Sequence, residues 1–267
     1  SQRRIKFDNM SKSFIIIPSR LSATRLPNKP LININGKPLI MHVYEKAKKS
    51  QIGKVYVATC DNEIAIEVKK NGGEFIMTDS KHTNGTDRVF EASKKLKLKD
   101  NDLVMNVQGD EPLVHPDMID LAIQPLLDSS QNIYVSNLCS KIDEIDWKDP
   151  SEIKVVTDLN KNAIYMSRSP IPSIDHQEQK ANWYKQVCIM PFKWHFMKKF
   201  LFDMPSTPLE KQESIEMLRI IENGYKVRMV ENLFVNKSVD NENDRKKAEE
   251  LMLNDKVYKL YKDKSFD

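Results

Sequence analysis

Phe14-Ile15-Ile16-Ile17-Pro18, followed at once by Ser19-Arg20-Leu21-Ser22-Ala23-Thr24-Arg25-Leu26-Pro27-Asn28-Lys29-Pro30, is the stretch on which the reading of this chain turns. Four β-favouring apolar residues closed by a proline predict a buried first strand. The loop behind it carries Arg20, Arg25 and Lys29, and Pro27 and Pro30 restrict its backbone. A cationic loop at the carboxyl end of an α/β strand lies where such sheets bind ligands, and Arg and Lys suit phosphate oxygens. The competing reading is a solvated basic surface loop, which a Lys-rich chain produces often.

A second apolar run, Leu103-Val104-Met105-Asn106-Val107, ends in Gln108-Gly109-Asp110-Glu111-Pro112. It predicts another buried strand, with a glycine allowing a tight turn and Asp110 at the same sheet edge as the basic loop. Cations for a triphosphate and a carboxylate for its magnesium form the pair that phosphoryl or nucleotidyl transfer requires. An ordinary acidic turn is the plainer alternative.

Between and beyond these strands the pattern alternates. Helices are expected from Pro38 to about Ser50, over 61–70 (closed by Gly72-Gly73), 86–96 and 116–127; strands are expected over 54–59 and 74–77. Alternation of this kind predicts an α/β fold with a mostly parallel, Rossmann-like sheet and helices on both faces. The pattern then loosens. Strands are expected over 133–140, 153–158, 163–167 and 183–190, with a Pro-rich loop at 169–173, as a smaller antiparallel extension for the other substrate. A helix over 208–223, a strand over 225–230 and a helix over 241–253 complete the reading. The expected organisation is a disordered or vector-derived tail (1–12), a nucleotide-binding part (13–130), a sugar-binding and dimerisation part (131–230) and a C-terminal metal-carboxylate loop and helix (231–267), all in one compact domain.

The 267 residues are 40% hydrophobic, enough for a real core. No apolar run approaches the roughly 18 residues of a membrane span, and no secretory signal is evident. Cys60, Cys139 and Cys188 are odd in number and far apart, which suits a reducing cytoplasm rather than a zinc site or disulfide framework. A net charge of +4 is mild, and no concentrated basic stripe with aromatics points to nucleic acid.

Further candidates carry two readings each. Asn84-Gly85-Thr86-Asp87-Arg88 precedes a helix, where Thr86 either caps it or its amides face an anion. Arg168 is a bidentate carboxylate ligand or an exposed structural arginine. Asp240 is an N-cap or a second metal carboxylate. His42, His82, His115, His176 and His195 form no catalytic motif and read as packing or surface residues.

Together these segments resemble the 3-deoxy-manno-octulosonate (Kdo) cytidylyltransferases over roughly residues 13–253. The resemblance is carried by 17–20, 24–31, 34–38, Val57-Ala58-Thr59, Gly85-Thr86-Asp87-Arg88, 106–112, Ser167-Arg168-Ser169-Pro170-Ile171-Pro172 and Ser238-Val239-Asp240. It implies CTP, Mg²⁺, a homodimer and a role in making activated sugar acids for the bacterial envelope lipopolysaccharide. It also implies roles by position. Arg20, Arg25 and Lys29 hold the triphosphate; Gly85, Thr86, Arg88 and Gln108 belong to the nucleotide site; Asp110 and Asp240 hold the metal; Arg168 and Glu216 belong to the sugar site. Where that family has Arg-His-Leu-Gly-Ile-Tyr, this chain has Lys185-Gln186-Val187-Cys188-Ile189-Met190, and a glutamine after the glutamate becomes Met217. Loss of polar partners at Gln186, Met190 and Met217 predicts a sugar related to Kdo but less polar or differently substituted. A nine-carbon sialic-type acid, an alditol phosphate, or a catalytically idle nucleotide-binding protein are the alternatives.

Overall fold

The structure is a computed structural model that describes residues 11–21, 25–52, 54–174 and 182–265. The tail expected over 1–12 lies, for residues 1–10, outside the described residues, as do Ser22, Thr24 and His176. The chain divides into two compact units, one formed by Lys12–Asp120 with Phe234–Asp267 and the other built on Leu121–Leu233.

In the first unit, strands Ser13–Ser19, Val55–Thr59, Phe75–Met77 and Leu103–Val107 are mutually parallel. Helices Leu39–Lys48, Asn62–Lys70 and Gly85–Lys95 occupy the three connections between them. Isoleucines 15–17 and Val57, Val104 and Met105 are fully buried, as expected of strands read from continuous apolar runs. In space the order is Leu103–Val107, Ser13–Ser19, Val55–Thr59, Phe75–Met77. The chain thus steps outward from its first strand on one side and returns to the opposite side for its fourth. The carboxyl ends of Ser13–Ser19 and Leu103–Val107 therefore flank a topological switch point, where open α/β sheets bind ligands. Register pairs Ile16 with Asn106, so 18–20 and 108–110 leave the sheet side by side.

Gly109 serves this junction by its size. A Cβ there would stand 3.1 Å from Ile40 Cδ1, 3.3 Å from Ile17 Cγ2 and 3.4 Å from the Pro18 carbonyl oxygen. Close packing, rather than the tight turn read from the sequence, explains why glycine suits this position. The rest of the unit is a short hairpin, Asn33–Ile34 with Lys37–Pro38, and C-terminal helices Glu242–Met252 and Lys256–Lys259.

The second unit carries a sheet in the order Arg228–Glu231, Ser136–Ile142, Trp183–Val187, Lys154–Thr157, Ala163–Ser167. Its pairs are antiparallel, except that Arg228–Glu231 runs parallel to Ser136–Ile142. Two expectations need correction, and one helix has no counterpart among them. The strand expected over 183–190 is two strands, Trp183–Val187 and Ile189–Lys193. At the break, Asn137 Nδ2 donates to both Val187 O (2.7 Å) and Ile189 O (3.2 Å), so a buried side chain takes up these carbonyls. The helix expected over 208–223 is two, Pro208–Glu213 and Met217–Glu222, because Ser214 adopts φ 55° and ends the first. Arg219 then ties the pair together through Glu210 (2.8 and 2.5 Å). Finally, Trp194–Phe202 is a helix that the sequence reading left unassigned; it follows its strand directly, with no side-chain cap at Lys193 to signal it.

Candidate active site

The switch point of the first unit opens into a cavity of about 470 Å³. Pro18, Ser19, Arg20, Arg25, Leu26 and Lys29 line it from the basic loop, His82 to Gly85 and Arg88 from the helix entrance, and Gln108 to Asp110 from the second strand end, with Asp240 beside them. Every nucleotide-side residue expected from the sequence except Thr86 is in this lining, and Thr86 lies between Gly85 and Arg88. The volume matches that of a small-molecule site.

Lys29 Nζ lies 3.5 Å from Asp110 Oδ2 and 3.2 Å from Asp240 Oδ1, so one cation joins carboxylates 130 positions apart. The backbone reinforces this, with Val239 N–H donating to Asp110 O (2.8 Å). Burial raises the pKa of Asp110; the Lys29 charge opposes that rise and the Asp240 charge adds to it. Lys29 is delivered by the turn Lys29–Leu31, entered through Asn28 at φ 55° and seated on the buried ring of Pro30. The base of the basic loop is anchored by Asp61, whose Oδ2 accepts from Leu21 N–H (2.8 Å). Asp61 is also the N-cap residue of Asn62–Lys70, but its side chain makes no cap bond there.

Arg88 is 2% exposed. Its Nη1 donates to Thr78 Oγ1 (2.5 Å) and to Asp79 O (3.4 Å), while its Nη2 has no partner among the described residues. A buried guanidinium with an unmet donor is costly until a ligand completes it. Helix capping falls differently from the two readings offered by the sequence. Asn84, not Thr86, caps Gly85–Lys95 by accepting from Asp87 N–H (2.8 Å). Asn241, not Asp240, caps Glu242–Met252 by accepting from Asp244 N–H (2.9 Å). The carboxylate of Asp240 is thereby left to Lys29 and to Ser238, whose Oγ donates to it (3.0 Å).

A divalent ion suits this donor set. Among the described residues no three His, Cys, Asp or Glu gather as a metal cage. Two carboxylates already share one cation, which is the protein share expected for magnesium that takes its remaining ligands from phosphates and water.

The sugar-side residues named from the sequence all lie in the second unit. Arg168 gives three of its five N–H groups to backbone carbonyls: Nε to Glu213 (2.7 Å), Nη1 to Pro150 (3.2 Å) and Nη2 to Ser214 (3.2 Å). Gln186 Nε2 donates to Asn137 Oδ1 (2.5 Å) and lies 3.9 Å from Met190 Sδ. Met190 and Met217 are buried, at 6% and 2% exposure, while Glu216 is half-buried. Glu213, which no sequence signal marked, accepts from Tyr165 OH, Ser167 Oγ and Arg168 N–H (3.0, 2.6 and 2.9 Å).

The cytidylyltransferase family profile matches residues 14–239 of this chain. The 3-deoxy-manno-octulosonate cytidylyltransferase of Syntrophus aciditrophicus (strain SB) is 38% identical over 245 residues, covering 91% of this chain and 98% of that protein. Its counterpart in Francisella tularensis subsp. tularensis (strain SCHU S4 / Schu 4) is 40% identical over 224 residues, covering 82% and 89%. This chain belongs to the 3-deoxy-manno-octulosonate cytidylyltransferase family. A solved CMP:2-keto-3-deoxy-manno-octonic acid synthetase complexed with CTP matches with a TM-score of 0.84 at 36% identity, over 91% of this chain and 99% of that one. A cytidylyltransferase structure from Leptospira borgpetersenii shares the fold at 16% identity (TM-score 0.60, over 96% and 99%). The expected α/β fold is the fold of this family.

The sequence reads His82 as a packing or surface residue, and the structure of this family member puts it in the cavity. His82 lines the site and pairs through Nε2 with Glu91, which also accepts from Asp79 N–H (3.0 Å). Burial raises the Glu91 pKa, but bonds from Asp79, His82 and Lys95 outweigh it and hold the carboxyl at about 2. The nine-residue separation of His82 and Glu91 has no helical period, so no local pattern announced the pair.

Proposed function

We propose that this chain transfers CMP from CTP to the anomeric hydroxyl of a 3-deoxy-2-keto sugar acid, Kdo or a close relative, with release of pyrophosphate. The observation that carries the reading is the Lys29 ammonium between Asp110 and Asp240, in a cavity whose other cations are Arg20, Arg25 and Arg88. Four cations against two carboxylates leave the cavity net positive, as a triphosphate site must be. The names of the relatives and the CTP bound in the structural neighbour agree with this chemistry.

In this reading Arg20, Arg25 and Lys29 grip the triphosphate. Arg88 completes its unmet donor on the nucleotide, and Gln108 with Gly85 and Thr86 frames the cytidine part. Asp110 and Asp240 would hold Mg²⁺, which when bound would supply charge neutralisation at the reacting phosphate and acidify the attacking hydroxyl. The hydroxyl oxygen forms its bond to the α-phosphorus as the α–β bridging bond breaks in line; the hydroxyl proton passes to solvent and pyrophosphate departs. The loop cations neutralise the leaving oxygens. On the sugar side, Arg168 keeps two N–H groups beyond its backbone bonds, enough for one carboxylate. The Asn137 amide nitrogen is spent on carbonyls, so its Oδ1 faces Gln186 and orients the Gln186 carbonyl oxygen as an acceptor for a sugar donor. Glu216, with Met190 and Met217 as apolar wall, completes the sugar set. A homodimer follows from the family resemblance. A role in lipopolysaccharide biosynthesis follows from the same resemblance, and the three free cysteines suit a reducing cytoplasm.

The test is pyrophosphate release with each of the four nucleoside triphosphates, Mg²⁺ and a panel of Kdo, substituted Kdo, a nine-carbon sialic-type acid and an alditol phosphate. Turnover with CTP and an eight-carbon 3-deoxy-2-keto acid is expected. Turnover confined to another triphosphate or another acceptor class, or none with any pair, would overturn the reading.

A further inference from the structure

The C-terminal helices follow the stretch matched by the family profile, which ends at residue 239. They are bonded to the hairpin and to helix Leu39–Lys48. Asn35 Nδ2 donates to Glu249 O (2.9 Å), Tyr258 OH to Asn35 O (3.0 Å) and Lys37 Nζ to Lys264 O (2.8 Å). The fully buried Lys46 pairs with Asp255. His42, also fully buried, bonds through Nδ1 to Tyr261 OH (2.8 Å) and through Nε2 to Ile34 O (2.6 Å). One proton arrangement satisfies both contacts of a neutral ring. A carbonyl only accepts, so Nε2 carries the hydrogen and the Tyr261 hydroxyl donates to Nδ1. This relay has a direction, and it fixes the hairpin backbone relative to Tyr261.

The same segment shares an apolar core with the catalytic loops. Ile34, Leu39, Val239, Met252, Tyr258 and Tyr261 belong to one buried cluster, with Leu26 packed against it. Leu26 and Leu39 also line the nucleotide cavity. Val239 precedes Asp240, and its N–H bonds Asp110 O. The core under the C-terminal segment thus touches the loop carrying Lys29 and the segments carrying both carboxylates. Interiors packed at this density transmit displacements rather than absorb them.

We propose that residues 255–264, centred on Tyr261, position the Lys29–Asp110–Asp240 group for nucleotide and metal binding. Tyr261 touches no substrate in this scheme; it is a positioning residue that acts through His42, Ile34 and Val239. The inference rests on the reaction proposed above.

The test compares full-length Tyr261→Ala and Tyr261→Phe with wild type and with Phe200→Leu, a core change in the second unit. Three quantities are read at a temperature where each is fully folded: kcat, the Mg²⁺ concentration giving half-maximal rate, and the rise in melting temperature caused by CTP with Mg²⁺. Tyr261→Ala should raise half-saturating Mg²⁺ about tenfold, lower kcat about tenfold and shrink the CTP-induced rise. Tyr261→Phe keeps the ring and should fall between it and wild type. Phe200→Leu should lower the melting temperature and leave the other readings within twofold. If Tyr261→Ala does not fold, Tyr261→Phe carries the test, with a two- to fivefold rise in half-saturating Mg²⁺ expected. Tyr261 variants that match Phe200→Leu, losing melting temperature but keeping all three ligand readings within twofold, would overturn the inference. A wild type that turns over no substrate would instead sink the proposed reaction, and the CTP-induced rise would still decide the role of Tyr261.

Discussion

Replacing Asp240 by Asn separates metal chemistry from architecture, because the structure leaves that carboxylate little structural work. The cap of Glu242–Met252 is Asn241, so the substitution removes no capping bond. Asparagine keeps an Oδ1 acceptor for Lys29, and its amide can donate to the Ser238 hydroxyl, which rotates to accept. What is lost in the free protein is one ion pair at 3.2 Å whose carboxylate side chain is 46% exposed. Exposed pairs contribute about 0–1 kcal/mol. In a chain of this size that corresponds to a melting-temperature change of at most about 4 °C. On the proposed reading the loss in turnover is larger, because an anionic ligand would disappear from the magnesium site at the reacting phosphate. Taking about 3–4 kcal/mol of lost charge stabilisation, kcat should fall on the order of 10²- to 10³-fold. The assay is continuous pyrophosphate release at saturating CTP and sugar acid, with Mg²⁺ varied and thermal denaturation run in parallel. A variant with kcat within threefold of wild type at ordinary Mg²⁺ would refute the assignment. So would a melting-temperature loss well beyond 4 °C, since that would mean the carboxylate had a structural duty the geometry does not show.

Arg88→Met should raise the KM for CTP at least tenfold with a smaller change in kcat, since a hydrogen bond from a charged group to a ligand is worth about 1.5–3 kcal/mol. Its melting temperature without ligand should hold or rise, because removal relieves a buried and incompletely bonded guanidinium; an unchanged KM would show that the free Nη2 does not face the nucleotide. His42 adds an acid-sensitive component to stability. Burial, assisted by the charges of Lys46 and Lys37, lowers its pKa from 6.5 to about 4 despite bonds that favour the proton. The unfolded chain therefore binds the proton more readily, so this contribution is complete above pH 6.5 and is lost as pH falls toward 4, amounting at most to about 3 kcal/mol. Urea denaturation of wild type and His42→Gln between pH 7 and pH 4 measures it, and equal slopes in the two proteins would count against it.

Much of the first unit was legible because its signals are local. Leu103–Val107 and Pro116–Leu127 fall where the apolar run and the proline placed them. The alternation of strand and helix was enough to predict parallel pairing, since parallel strands require such crossovers. The second unit was harder because its breaks are made by partners distant in sequence. Asn137 interrupts the strand expected over 183–190, and Ser214 interrupts the helix expected over 208–223 while Glu210 and Arg219 hold the two pieces together. None of these residues carries the glycine or proline that marks a break in a single sequence.

The site divides along the same line. Arg20, Gln108 and Asp110 reach the cavity lining directly behind strand ends, and Arg25 and Lys29 from the loop that follows the first of them; a strand end can be read from hydropathy. Asp240 was ambiguous because Asp and Asn both cap helices, and the two stand next to each other at the start of Glu242–Met252. Only the geometry shows that Asn241 takes the cap and leaves Asp240 to Lys29. Arg88 was named as one residue of a helix entrance, but the strength of its case lies in its burial and its unmet donor, which sequence does not encode locally. The same holds for His42, which reads as packing yet is oriented by Tyr261 from 219 positions away. Strand-end chemistry can thus be read one segment at a time. The residues that orient it become visible when separate segments meet, which is why positioning roles such as that proposed for Tyr261 emerge from the fold.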